Sequence, residues 1–193
     1  IFHFGDNNQF TYRNEIMSDR TKDFISFDLP GNKFTMFVAD NDDGLKWGTY
    51  RSDTTLVFNI EIINWMPSNG GEVTTDGKPL GIDSDGVSRV AMPVDQLGIE
   101  FYDIDTLGSE PVLSSRFDLE GNAEQVKLTS TGAYVSCDDF GAYYLSNSYI
   151  ESGQGSAIHF AKDLTVDHIS VSGDIAVLSI GSKGIALYDV SDP

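Results

Sequence analysis

With a single cysteine, Cys137, the chain has no second thiol to pair, so no internal disulfide can form and pairing says nothing about the redox compartment. Basic residues are also scarce. Twelve Lys and Arg stand against 30 Asp and Glu, a formal charge of −18, and a surface this acidic repels phosphate backbones and anionic lipid headgroups. Nucleic acid is therefore excluded as the main partner. No apolar run approaches the roughly 20 residues of a membrane-spanning helix, so membrane insertion is not expected. Catalytic signatures are missing as well: there is no Gly-x-Ser-x-Gly elbow, no His-Glu-x-x-His, no phosphate-binding Gly-rich loop with Lys and no paired Cys spacing for zinc. No residue is assigned as catalytic or cofactor-binding. The balance leans away from an enzyme, although a site assembled from single residues on several repeats leaves no linear motif.

What the sequence does hold is a folded core, at 40% hydrophobic and 11% aromatic residues over 193 positions, enough for one domain. It also holds an internal repeat. Gly98-Ile99-Glu100-Phe101-Tyr102-Asp103-Ile104, Gly141-Ala142-Tyr143-Tyr144-Leu145-Ser146-Asn147 and Gly184-Ile185-Ala186-Leu187-Tyr188-Asp189-Val190 follow one another at 43-residue intervals. Upstream, Ala133 to Cys137 lies the same distance before Ala176 to Ile180, and Val126 and Leu128 the same distance before Ile169 and Val171. A further copy fits at the front, where Met36 to Asp40 and Gly44 to Trp47 repeat the pattern. Its interval to Gly98 is 54 residues, and the turn-rich stretch from Pro67 to Gly77 is the expected place for the surplus.

Each unit reads as short strands between turn residues. In the first, Ile25, Phe27 and Leu29 alternate with polar residues, Pro30-Gly31-Asn32 turns, Phe34 to Ala39 extends, Asn41 to Gly44 turns again, and Leu45 to Tyr50 and Thr55 to Ile62 complete four strands. Val112 to Leu119 and Ser156 to Ala161 close the second and third units. β-Branched and aromatic residues dominate, and no stretch sustains a helical period. Four strands at this period predict an all-β chain of four consecutive β-propeller blades, in units at about 24–64, 71–120, 123–162 and 165–193. A sandwich or another repeat array is the alternative.

The last unit, Val171-Ser172-Gly173-Asp174 followed by Gly184 through Ser191-Asp192-Pro193, resembles the LVIVD family of propeller repeats, and Gly98 to Asp105 does so in part. The resemblance implies a small, often extracellular blade ending in a hydrophobic strand and an Asp-Val-Ser-Asp-Pro-like turn. It implies a fold, not a chemistry. On this reading the chain is an extracellular or cell-surface module whose partner is a protein or a glycan. The fourth unit lacks its fourth strand. Either Phe2–Phe4 or Phe10–Tyr12 supplies it, or residues 1–193 are a section of a larger propeller with blades beyond both ends; the second is the expectation.

The acidic turns are the candidate metal sites, because hard Ca²⁺ wants several oxygen ligands. Asp40, Asp42 and Asp43 precede Gly44, and Asp83 and Asp85 precede Gly86. Calcium is the cofactor they would take, and an ordinary solvated turn is the alternative reading. If they serve a metal-dependent hydrolase or lactonase, carboxylates should recur at equivalent positions, but Asp40 aligns with Cys137 and Ile180. His3, His159 and His168 are sparse and read more readily as loop hydrogen-bonders than ligands. Cys137 reads as buried filler. Trp47, Trp65, Tyr102, Tyr143, Tyr144 and Tyr188 read as core before ligand surface.

Overall fold

The computed structural model describes the backbone of residues 2–4, 10–12, 20–57 and 60–191, with side chains over 20–51 and 68–191. Seventeen strands are placed among them: β1 (Phe2–Phe4), β2 (Phe10–Tyr12), β3 (Thr21–Leu29), β4 (Lys33–Asp40), β5 (Gly44–Val57), β6 (Ile60–Val73), β7 (Asp83–Ser84), β8 (Arg89–Pro93), β9 (Ile99–Asp103), β10 (Val112–Phe117), β11 (Gln125–Leu128), β12 (Gly132–Ser136), β13 (Ala142–Ser146), β14 (Ala157–Phe160), β15 (His168–Ser172), β16 (Ile175–Ser179) and β17 (Ile185–Asp189). One short helix, α1 (Asn147–Ser152), and a 3-10 turn at Gly181–Lys183 are the exceptions. The chain is all-β. Its strands form four consecutive antiparallel sheets in the orders β3-β4-β5-β6, β7-β8-β9-β10, β11-β12-β13-β14 and β15-β16-β17, while β1 pairs with β2.

The hairpin between the second and third strands is built alike in the last three sheets. Val94, Cys137 and Ile180 donate their N–H to Gly98, Gly141 and Gly184 O at 2.9, 2.8 and 2.9 Å. The turn opens on Asp95, Asp138 and Gly181, all in the left-handed region at φ 56°, 47° and 56°. Asp and Gly tolerate that region better than bulky residues do. The turns also tie one sheet to the next, since Ala123 N–H bonds Asp95 O at 3.0 Å and Val166 N–H bonds Asp138 O at 2.8 Å.

Alternation along each strand sends side chains to both faces, and both faces of the inner strands of the middle sheets, β8, β9, β12 and β13, are buried. Phe37, Leu45 and Trp47 of the first sheet meet Val90, Met92 and Tyr102 of the second. Ala91, Ile99 and Phe101 of the second meet Val126, Ala133, Val135 and Leu145 of the third. Tyr134, Ala142 and Tyr144 of the third meet Ile169 and Leu178 of the fourth, with Ala186 and Tyr188 against the edge of that cluster. The core is thus a series of three inter-sheet layers.

The surplus residues of the first unit lie elsewhere than expected. Residues Pro67 to Val73 are strand, not loop, and β5 and β6 form a long hairpin of 14 residues each, so the first sheet runs on to Val73. Pro67 pairs opposite Tyr50 beside a register shift at Thr49/Tyr50 on the last strand of the sheet, where a missing N–H disturbs no further ladder. Gly70 suits the position because a Cβ there would lie 2.8 Å from Trp47 O. Helix α1 was also unexpected. It is capped by Ser146, whose side chain accepts from Tyr149 N–H, and by left-handed Gly153 at φ 70°.

Candidate functional site

Asp40, at the end of β4, is fully buried. Its Oδ1 accepts the N–H groups of Asp42 at 3.0 Å and Asp43 at 3.2 Å, which folds the turn into β5. Lys46 reaches back from β5 with Nζ 3.3 Å from Asp40 Oδ2 and 2.5 Å from Asp43 Oδ2, and Arg20 Nε lies 3.3 Å from Asp42 Oδ2. The three aspartates are brought together, but around the chain's own cations. Burial pulls the Lys46 ammonium down, yet hydrogen bonds and charge from Asp43 and Asp40 outweigh it and hold its pKa above the ordinary value.

Asp83 and Asp85 take separate tasks. Asp83 Oδ2 accepts from Lys127 Nζ at 2.9 Å and from Leu128 N–H at 2.8 Å, tying the second sheet to β11. Asp85 Oδ1 accepts the N–H groups of Val87, Ser88 and Arg89 at 2.8, 2.8 and 2.9 Å. Partial burial raises the Asp85 carboxyl pKa, but these donors and the Ser88 hydroxyl outweigh it and hold the pKa below its usual value. Among the described residues, no group of three or more His, Cys, Asp or Glu side chains is placed to hold a metal ion.

The histidines are dispersed. His159 stacks on Tyr143 with ring centroids 4.1 Å apart at 15°, and its Nε2 lies 2.5 Å from Phe140 O. His168 is exposed on β15, while the side chains of His3 and Trp65 fall outside the described residues. Cys137 is buried, and burial together with the nearby Glu124 charge pushes its thiol up to about 12; it is protonated at neutral pH and a poor nucleophile. Trp47, Tyr102 and Tyr144 are core residues.

Two groupings were not foreseen. Glu100, fully buried on β9, accepts from the Tyr102 hydroxyl at 2.5 Å and from Arg116 of β10, whose other nitrogen is 2.8 Å from Asp76. Burial and the Glu100 hydrogen bond raise the Tyr102 hydroxyl pKa strongly. A lone Glu in an apolar strand, with an Arg in the following strand, was the available signal. The second grouping lies at the end of the sheets that carries the second hairpin turns and the crossovers. Glu124 sits there among Asp138, Asp167 and Asp95, and its pKa is raised first by burial and then by those three charges. The four carboxylates gather negative charge at this end.

No family model and no curated protein matches the chain. Among solved structures it is similar to a computationally designed protein called Ika8, with a TM-score of 0.54 at 11% identity, over 89% of this chain and 58% of that one. The likeness concerns the fold alone.

Proposed function

We propose that the chain is a section of a β-propeller of LVIVD-like repeats, extracellular or at a cell surface, that acts by binding a protein partner with a basic surface rather than by catalysis. The propeller reading is supported by four consecutive antiparallel sheets, each with a face against the next, and by the hairpin turn repeated at 43-residue intervals. The binding reading rests on one observation above others: the bridges of Ala123 to Asp95 and of Val166 to Asp138 bring Asp95, Glu124, Asp138 and Asp167 to one end of the sheets, where burial and then the three neighbouring charges raise the Glu124 pKa. Other carboxylates, at Asp40, Asp43, Asp83 and Glu100, are paired with Lys46, Lys127 and Arg116. A glycan is the second reading, favoured by the Tyr143–His159 stack, since sugars dock on aromatic faces.

The test uses a Lys/Arg-rich peptide as probe, titrated at low and high salt against the chain and against an Asp95→Asn, Asp138→Asn, Asp167→Asn variant. Binding that weakens with salt and is lost in the variant supports the proposal. Salt-insensitive binding or none contradicts it. Turnover of esters, lactones or phosphoesters that appears with Ca²⁺ and disappears in Asp42→Ala points instead to a metal-dependent hydrolase.

A further inference from the structure

Three register positions carry each sheet onto the next. They are Phe37, Leu45 and Trp47 in the first sheet, Ala91, Ile99 and Phe101 in the second, and Tyr134, Ala142 and Tyr144 in the third, all buried. The equivalent residues of the fourth sheet are Val177, Ile185 and Leu187. They remain apolar, yet they are 36%, 67% and 65% exposed, with Ile175 beside them at 52%. Solvated strand faces ordinarily alternate to polar residues, so this one is written for burial.

The edge of that sheet is unfilled as well. In β13, Asn147 N–H bonds Thr131 O at 3.0 Å and Ser146 N–H bonds Ser156 O at 2.9 Å, so odd residues face β12 and even ones face the fourth strand. In β17, Val190 N–H bonds Asp174 O at 2.8 Å, the bond equivalent to that of Asn147. By the same alternation the N–H groups of Ile185, Leu187 and Asp189 point away from β16, and β17 pairs with β16 alone among the described strands. Neither β1 nor β2 closes it, for they form a separate two-stranded sheet.

The turn glycine bears this out independently. A Cβ on Gly44, Gly98 or Gly141 would lie 2.5, 2.1 or 2.4 Å from Val73 O, Phe117 O or Ala161 O, at the close of each fourth strand, whereas Gly184 has nothing within 4 Å. Space is left where a fourth strand would end.

We propose that the free edge of β17 and the Val177, Ile185, Leu187 face form a docking surface for further β-sheet, supplied by polypeptide of the same protein outside residues 1–193. That polypeptide adds a fourth strand to β17 and then a fifth sheet against the exposed face. The fifth sheet presents apolar residues where the second, third and fourth present Val90, Ala133 and Ala176, and Met92, Val135 and Leu178. A second copy is the weaker occupant. The equivalent positions of its first sheet, Met36 and Val38, are already buried, and two chains of charge −18 repel each other.

The experiment compares the protein purified from its natural source with the 193-residue chain, by intact mass and by hydrogen exchange of the peptide spanning 185–190. The expected result is a natural mass above 21.1 kDa, protection of the Ile185, Leu187 and Asp189 amides in the natural protein, and loss of that part of the protection in the 193-residue chain, where only the amides facing β16 stay protected and which sediments as a monomer. A natural mass of 21.1 kDa overturns the proposal. So does full protection in the 193-residue chain alone. A concentration-dependent dimer that Leu187→Lys dissociates assigns the surface to a second copy; because Leu187 touches no core, circular dichroism of that variant separates lost association from lost folding.

Discussion

The third and fourth sheets are two versions of one object. Their second hairpins make the same three hydrogen bonds, from Cys137, Phe140 and Gly141 in one and from Ile180, Lys183 and Gly184 in the other. Their first three strands pair in matching registers. They differ only in what lies beyond: β13 is covered by β14 along its edge and by the fourth sheet on its face, while β17 has neither cover. Local sequence therefore builds the hairpins, and neighbours decide whether the same positions become core. An apolar residue in a strand reports what the position is made for, not whether it is buried in a given stretch of chain.

The sharpest way to break this comparison is to truncate equivalent residues. Tyr144→Ala removes a buried ring that packs on Tyr134 at 4.8 Å between centroids and a hydroxyl that donates to Thr131 O at 3.0 Å, and should cost about 3 to 5 kcal/mol in urea unfolding. Leu187→Ala, at the equivalent exposed position, should cost about 0.5 kcal/mol or less. Similar losses at both sites would mean that the fourth sheet's face is covered after all.

A second difference lies in the row of cross-strand pairs between third and fourth strands. The row reads Lys46 opposite Glu72, Glu100 opposite Arg116 and Tyr143 opposite His159, while Ala186 pairs with Leu178 of β16 and has no fourth-strand partner among the described residues. Glu100→Ala strands the buried Tyr102 hydroxyl and half of the Arg116 fork. It should cost about 2 to 3 kcal/mol, below the usual loss for a fully buried pair because Arg116 keeps some solvent and Asp76. Unfolding midpoints of Glu100→Ala and Tyr143→Ala would rank these two pairs of the row.

Turn chemistry gives smaller effects. Asp85→Ala frees three backbone N–H groups in the loop before β8 and should cost about 1 kcal/mol at neutral pH. Because the native Asp85 pKa lies below its ordinary 3.8, this contribution is present above that value and fades as the pH falls through the native one. The parent chain should melt above the variant at pH 7, and the gap between the two should close at pH 2. Glu124→Gln should act in the opposite sense. The native pKa of Glu124 is raised above 4.5, so stability is lost as the pH climbs from 4.5 through that value, and the variant should melt slightly higher at pH 7 with no gain at pH 4.

Much of this was legible in the chain. The 43-residue interval located the hairpins, the equivalent third strands and the missing fourth strand, because turn residues and alternation are local signals. The extra residues of the first unit were misplaced, since Pro67, Asn69, Gly70 and Gly71 are turn formers by composition, and only pairing with Trp47 to Tyr50 makes them strand. The acidic turns were readable as clusters, but whether a carboxylate faces a metal, a lysine or a backbone N–H depends on contacts such as Asp83 to Lys127 that span 44 residues. Glu100 and Arg116 escaped notice for the same reason.

The amide exchange of Tyr144 and Leu187, followed by NMR in one sample of the 193-residue chain, tests the comparison most directly. Both N–H groups point away from the second strand of their sheets, 43 residues apart. With β14 in place, the Tyr144 amide should exchange only on large-scale unfolding, while that of Leu187 should exchange near the rate of an unstructured peptide. Equal protection of the two would contradict the account.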